Sequence, residues 1–172
     1  MNSINIQYHK TKIGELILGS FDDRLCLLDF RYRKMRATVD NRIKMGLKAY
    51  FSEHSDATLV KAKEQVDEYL CGNRTIFDIP LLMVGTEFQK SVWNALVKIP
   101  YGATSTYLRL AKNIENAKAV RAVASANGAN AIAFAIPCHH RIIESNGDLG
   151  GYGGGVTVKK RLLKLEQSPR DG

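Results

Sequence analysis

Three short β-prone runs occupy the first 31 positions, Ile4 to His9, Glu15 to Ser20 and Arg24 to Arg31, and only tight turns fit between them. An antiparallel meander is the expected assembly. The third run has LCLLDF at its centre, which places Cys26 in a core. The segments Asn41 to Ser52 and Leu59 to Leu70 carry apolar residues at helical spacing, and Cys71-Gly72-Asn73 stops the second. Cys71 is thus expected at a helix end. IFDIPLL (76–82) reads as a connector in extended form, with Pro80 suited to an edge or crossing strand.

Near residue 84 the pattern changes, so two domains are expected, 1–84 and 85–172. Thr86 can N-cap a helix through EFQKSVWNALVKI, with Phe88, Val92, Trp93, Leu96 and Val97 on one face. Pro100-Tyr101-Gly102 ends it. Two short helices follow, Thr104 to Asn113 and Ala117 to Asn127, joined by IEN, a turn of helix-turn-helix length. The second carries Lys118 and Arg121 among small residues, a surface that fits closely against a duplex groove; an alanine-rich helix packed in the core is the other reading of the same residues. Ala131 to Ile136 reads as an apolar strand and Arg141 to Glu144 as a short returning one. The last helix, Val156 to Gln167, has Val158, Leu162, Leu163 and Leu165 as its apolar set. The fold class is α/β (α+β): a meander domain with helices, then a mainly helical domain.

The 172 residues carry a net charge of +8, spread unevenly. Residues 86 to 172 hold 12 Lys+Arg against 6 Asp+Glu, and residues 1 to 85 hold 13 against 11. A basic surface attracts polyanions, which makes nucleic acid the first partner to consider beside plain solubility. No run approaches the ~18 apolar residues of a membrane span, and the start MNSINIQYHK has no secretory apolar region. Three cysteines without a CxxC spacing define neither a disulfide framework nor a zinc site. The expected setting is the reducing cytoplasm, with Cys138 a free thiol and no metal.

Cys138 lies in IPCHHRII, between an apolar run and a basic cluster. A thiol reacts as its thiolate, and an adjacent imidazole or cation lowers its pKa from about 8.5. His139, His140 and Arg141 can supply both. A carboxylate can hold the histidine in the right tautomer, and Glu166 and Glu144 are both candidates that spacing does not separate. Simple burial after a strand is the other reading of such a cysteine. LGGYGGG (149–155) lacks the order of a phosphate loop, so no nucleotide cofactor is expected. Its backbone suits the wall of a pocket for a flat ring.

Taken together, FQKSVWNAL, IPYGATSTYLRLA, KAVRAVASANGAN, AIPCHHRII, GYGGG and LLKLE resemble the O6-alkylguanine-DNA alkyltransferase family over residues 86 to 166. Residues 1 to 85 fit that family's ribonuclease-H-like N-terminal domain in outline. The resemblance implies a monomer that finds O6-alkylguanine, and O4-methylthymine as a further candidate, in double-stranded DNA. It turns the nucleotide out of the stack and moves the alkyl group irreversibly to its own cysteine, here Cys138. It further implies a histidine base acting through water, polarised by Glu166. Tyr107 would help turn the nucleotide and Arg121 fill the vacated stack. Asn130 would tie the helix-turn-helix to the active-site segment, Lys118 contact phosphate, and Tyr152 and Gly153 belong to the pocket loop.

The family pattern has one histidine after the cysteine, whereas this chain has His139 and His140. Arg141 keeps its spacing to Tyr152, so the extra residue falls between Cys138 and Arg141. His139 is the favoured base because it directly follows the cysteine, with His140 the alternative. Two other functions fit the same features: a non-catalytic binder of alkylated DNA, and a helix-turn-helix regulator that senses through Cys138.

Overall fold

The computed structural model describes residues 2–137, 141–143 and 156–167. The chain divides into two compact units, Met1–Gly85 and Thr86–Gly172.

In the first unit β1 (Asn2–Thr11), β2 (Gly14–Phe21) and β3 (Arg24–Phe30) form the antiparallel meander, paired Ile6 to Gly19 and Leu18 to Leu28. The β2–β3 turn is two residues, Asp22 and Asp23, both at positive φ (53° and 60°). That is the twist a tight hairpin requires, and aspartate tolerates it better than most side chains. β2 and β3 are buried in an almost unbroken run, so both of their faces are covered, and Ile4, Leu16, Leu18, Leu25 and Leu27 all stand at 0% exposure.

The segment expected as one helix over 41 to 52 is instead a helix and a strand. Helix α1 (Arg36–Leu47) begins earlier, ends where Lys48 turns left-handed (φ 51°), and gives way to β4 (Ala49–Glu53). β4 pairs in parallel with β1, Ile4 beside Phe51, so the sheet order is β3-β2-β1-β4. Partners more than 40 residues apart decided this, which local periodicity does not register.

Helix α2 (Ala57–Leu70) packs on β1, β2 and β3 through Leu59, Ala62, Val66, Tyr69 and Leu70. Asp56 is its N-cap and more. Its Oδ1 accepts from the Leu59 amide at 2.8 Å, while Oδ2 accepts from Asn5 Nδ2 at 2.8 Å and from Ser20 Oγ. Burial raises the carboxyl's pKa, but these donors outweigh it and the net shift is downward. Asp56→Ala should therefore cost about 1–2 kcal/mol at neutral pH. Because the folded-state pKa lies below the unfolded one, that difference is fully present above the ordinary value of 3.8 and shrinks as pH falls through the folded one. Urea unfolding of both proteins at pH 7 and pH 3 measures it; an equal gap at both would show that the carboxylate is not involved.

Residues 76–82 behave as the expected connector, with one parallel bridge: the Leu25 amide donates to Pro80 O (2.8 Å) and the Leu82 amide to Leu25 O (2.9 Å). Cys26 is 1% exposed and Cys71 caps α2 at the surface. Burial pushes the Cys26 thiol up to about 12, which leaves it unreactive.

In the second unit, α3 (Glu87–Val97) starts with a capping box between Thr86 and Gln89. Val92, Trp93 and Leu96 are its buried residues; Val97, expected on that face, is 46% exposed. Helix α4 (Tyr107–Asn113) is capped by Thr106 and α5 (Val120–Gly128) follows it, both starting three residues later than expected. For α4 the reason is that Ser105–Thr106 form strand β5, in parallel with β6 (Ile142–Ile143); before α5, residues 117–118 are a turn. Helices α3, α4 and α5 pack on one another, and the Trp93 indole donates to Ala126 O at 2.8 Å. Helix α6 (Val156–Gln167) matches its expected range. Among the described residues no helix is long and apolar enough to cross a membrane.

Candidate active site

The segment leading to Cys138 is not the strand its composition suggests. Ala131–Ile136 is a buried turn, closed by Ile136 N to Ile132 O (3.0 Å) and Ala135 N to Ala133 O (2.7 Å), with Phe134 at φ +65°. Asn130 builds it. Its Oδ1 accepts from the Ile132 amide (3.0 Å), and its Nδ2 donates to Ile132 O (3.3 Å) and Ile136 O (3.0 Å). Such a side chain offers the backbone an alternative to a sheet ladder, which is why apolar composition misleads here. Asn130→Ala leaves buried backbone groups without this partner and should cost about 3 kcal/mol. Urea unfolding checks it; a loss within about 0.5 kcal/mol would mean the turn holds without Asn130.

Beyond the cysteine, Arg141 is 5% exposed and fully engaged. Its Nε and Nη2 donate to Glu166 Oε1 and Oε2 at 2.8 and 2.9 Å, and its Nη1 donates to Ile99 O at 2.7 Å. The Gly102 amide adds a bond to Glu166 Oε1 at 3.2 Å. Gly102 has φ +82°, and a Cβ there would sit 3.2 Å from Glu166 O, so a side chain would be both strained and crowded. Arg141 thus meets a carboxylate in a bidentate fork, which corrects its reading as a cation held for the thiol. Its own carbonyl accepts from Ser105 N at 2.8 Å, joining β6 to β5.

The buried stripe of α6 is Lys159, Leu162, Leu163 and Glu166, at 1%, 1%, 9% and 5% exposure. Val158 and Leu165, expected in the core, are half-buried. Two charged residues take core positions because each has a fixed partner: Lys159 Nζ donates to Ile142 O at 2.5 Å, and Glu166 holds Arg141. Helical spacing alone could have flagged Lys159 and Glu166 as lying on the Leu162 face, but charge argued against it.

Tyr107 opens α4 half-buried, and its hydroxyl accepts from Asn127 Nδ2 at 3.4 Å. Asn127 is fully buried on α5 and was not anticipated. On the exposed side of α5 lie Arg121, Ala122 and Ser125, with Lys118 exposed just before the helix. The small-residue surface therefore faces outward at that point, while Val123 and Ala126 face the core. Cys138, His139, His140, Glu144, Tyr152 and Gly153 lie outside the described residues. Among the described residues no cluster of His, Cys, Asp and Glu could hold a metal: His9 bonds Asp67, His54 bonds Ser52, and Cys26 donates to Gly19 O.

The chain is a sheet-and-helix unit followed by a helical unit, and the second holds an asparagine-built turn and a buried Arg–Glu fork before and after Cys138 in sequence. The chain belongs to the 6-O-methylguanine DNA methyltransferase family: residues 4–83 match its ribonuclease-like domain and residues 87–168 its DNA binding domain. It is 43% identical over 159 residues to the methylated-DNA–protein-cysteine methyltransferase of Methanosarcina acetivorans, covering 92% of this chain and 96% of that protein. The constitutive enzyme of that name from Bacillus subtilis is 38% identical, with 92% of each chain covered. In structure, the chain superposes on Mycobacterium tuberculosis OGT in complex with DNA with a TM-score of 0.80 at 35% identity, over 95% of this chain and 92% of that one.

Proposed function

We propose that this protein repairs DNA by direct reversal, taking the alkyl group from O6-alkylguanine in duplex DNA onto Cys138 in a single turnover. Its relatives are named methylated-DNA–protein-cysteine methyltransferases, and a similar structure is a complex with DNA. The observation that carries the reading in this chain is the rigid frame on both sides of Cys138: the Asn130-built turn ends at Ile136, and Arg141 is locked to Glu166.

The chemistry follows from the residue types. The Cys138 thiolate attacks the alkyl carbon, the carbon–O6 bond breaks, and its electron pair stays on the guanine, which takes up a proton at the ring or oxygen. Tyr107 is the proposed donor to the base. His139, with His140 as the alternative, removes the thiol proton through water. Arg141 and Gly102 hold both carboxylate oxygens of Glu166 in place, and this fixed carboxylate is the proposed partner that polarises the imidazole. A thioether is a poor leaving group, so each molecule acts once.

Reaching a stacked base costs a few kcal/mol, which an inserted side chain and a fitted pocket offset. In this reading α4 and α5 are a helix-turn-helix, Arg121 fills the vacated stack from the outward, small-residue face of α5, and Lys118 contacts phosphate. Tyr152 and Gly153 complete the pocket, and the protein works as a monomer on double-stranded DNA.

The test is an intact-mass measurement after mixing with a short duplex containing one O6-methylguanine, followed by peptide mapping. A gain of one methylene's mass on the Cys138 peptide, saturating at one per molecule, is the expected result. An unmodified protein that still binds the duplex would overturn it in favour of damage recognition without repair.

A further inference from the structure

Charge in the N-terminal unit is strongly segregated along the chain. Of its 13 Lys and Arg, seven lie between Arg31 and Lys48, with Asp40 the one acidic residue there; the rest of residues 1–85 hold six basic against ten acidic residues. A unit with a net charge of only +2 therefore has a strongly basic segment, and none of the site chemistry uses it.

The segment is organised in two tiers. The arginines are structural: Arg33 and Arg36 converge on Asp29 Oδ2 at 2.8 and 3.2 Å, Arg36 also holds Asp40 at 2.9 Å, and Arg42 donates to Val84 O at 3.0 Å. They bind the loop and α1 to the unit. The lysines are not used this way. Lys34 and Lys48, before and after α1, are exposed and form no ion pair among the described residues, and Lys44 lies with Nζ 4.5 Å from the Phe51 ring centre. The arginines' excess over Asp29 and Asp40 also pushes the Arg42 guanidinium down, after burial, because Arg33 and Arg36 stand beside it. Large apolar groups share the outer surface, with Tyr32 76%, Met35 51% and Met45 78% exposed. Arg31 stacks beneath Tyr32, its guanidinium carbon 5.3 Å from that ring centre and 3.8 Å from Tyr8.

We propose that Lys34, Lys44 and Lys48 form a duplex-DNA phosphate-binding surface on the N-terminal unit, additional to α5. The proposal rests on the reading of the chain as DNA-binding. A polyanion fits because the surface offers two exposed ammonium groups without an ion pair among the described residues, Lys34 before and Lys48 after a helix of about 18 Å that carries Lys44, and little directional chemistry. An acidic protein would be a more exacting match and is left as an outcome of the test.

Each phosphate neutralised contributes about 0.9 to the slope of log affinity against log salt. The full-length protein and the variant Lys34→Gln/Lys44→Gln/Lys48→Gln are titrated with an undamaged duplex between 50 and 200 mM salt (a range on the order of that used for counterion analysis). A second variant, Lys118→Gln/Arg121→Gln, reports on α5. The triple variant is expected to fold with an unchanged thermal midpoint, to bind several-fold more weakly at low salt, and to lose roughly 2–3 from the slope. A slope and affinity equal to the parent's, with the α5 variant weakened, would overturn the proposal and leave the lysines to an acidic protein or to solubility. If neither variant differs from a parent that binds, both assigned surfaces fall; if the parent fails to bind, the DNA-binding reading itself falls.

Discussion

Cys138→Ala should gain no mass from the methylated duplex at any protein concentration, yet bind that duplex about as tightly as the parent. Removing the proposed nucleophile eliminates the transfer, whereas the proposed phosphate and groove contacts lie on Lys118 and α5. The histidines then divide the rate. If His139 is the base, His139→Ala should slow transfer by about 10²–10⁴-fold, the usual contribution of a positioned proton acceptor, and His140→Ala should stay within a few-fold of the parent. Single-turnover mass measurements over a time course separate them. The reverse pattern would assign the base to His140, and equal small losses would mean that neither imidazole takes the proton. Modification of Cys138→Ala itself would place the acceptor elsewhere.

The second large effect is on stability. Arg141→Met leaves the Glu166 carboxylate buried opposite a thioether, and truncating one partner of a buried pair costs about 3–5 kcal/mol. For a unit of this size each kcal/mol moves the midpoint by about 4–8 °C, so a fall of more than about 10 °C is expected. Replacing both partners, Arg141→Met with Glu166→Leu, should recover most of it, because the cost lies in the orphaned charge rather than in the pair. Thermal and urea unfolding of the three variants measure the cycle. A loss under about 1 kcal/mol for Arg141→Met would show that water reaches the carboxylate.

Both predictions hinge on a segment only part of which can be read from composition. That the thiol stands among imidazoles is plain in IPCHHRII, and so is the likeness of the motifs around it to a DNA alkyltransferase. That the preceding residues turn, rather than extend, is not. Ala131–Ile136 is apolar enough to be a strand, and Asn130 overrides that by taking three backbone groups at once. Helical spacing puts Lys159 and Glu166 on the face of Leu162, but composition does not reveal that they are buried there, because charged residues are rarely buried without partners that only the fold supplies.

The sequence by itself determined the meander, the helices α2, α3 and α6, the core place of Cys26 and the helix-end place of Cys71, because periodicity, caps and stops act within a few residues. It also determined the motif set that marks the family. The tertiary structure decided that residues 49–53 are a strand rather than the end of a helix, since the sheet edge of β1 offered hydrogen bonds that the local pattern does not encode. It decided, too, that Arg141 is a structural partner of Glu166 instead of a cation awaiting the thiol, since a guanidinium and a carboxylate 25 residues apart become a pair only when α6 and β6 are brought together.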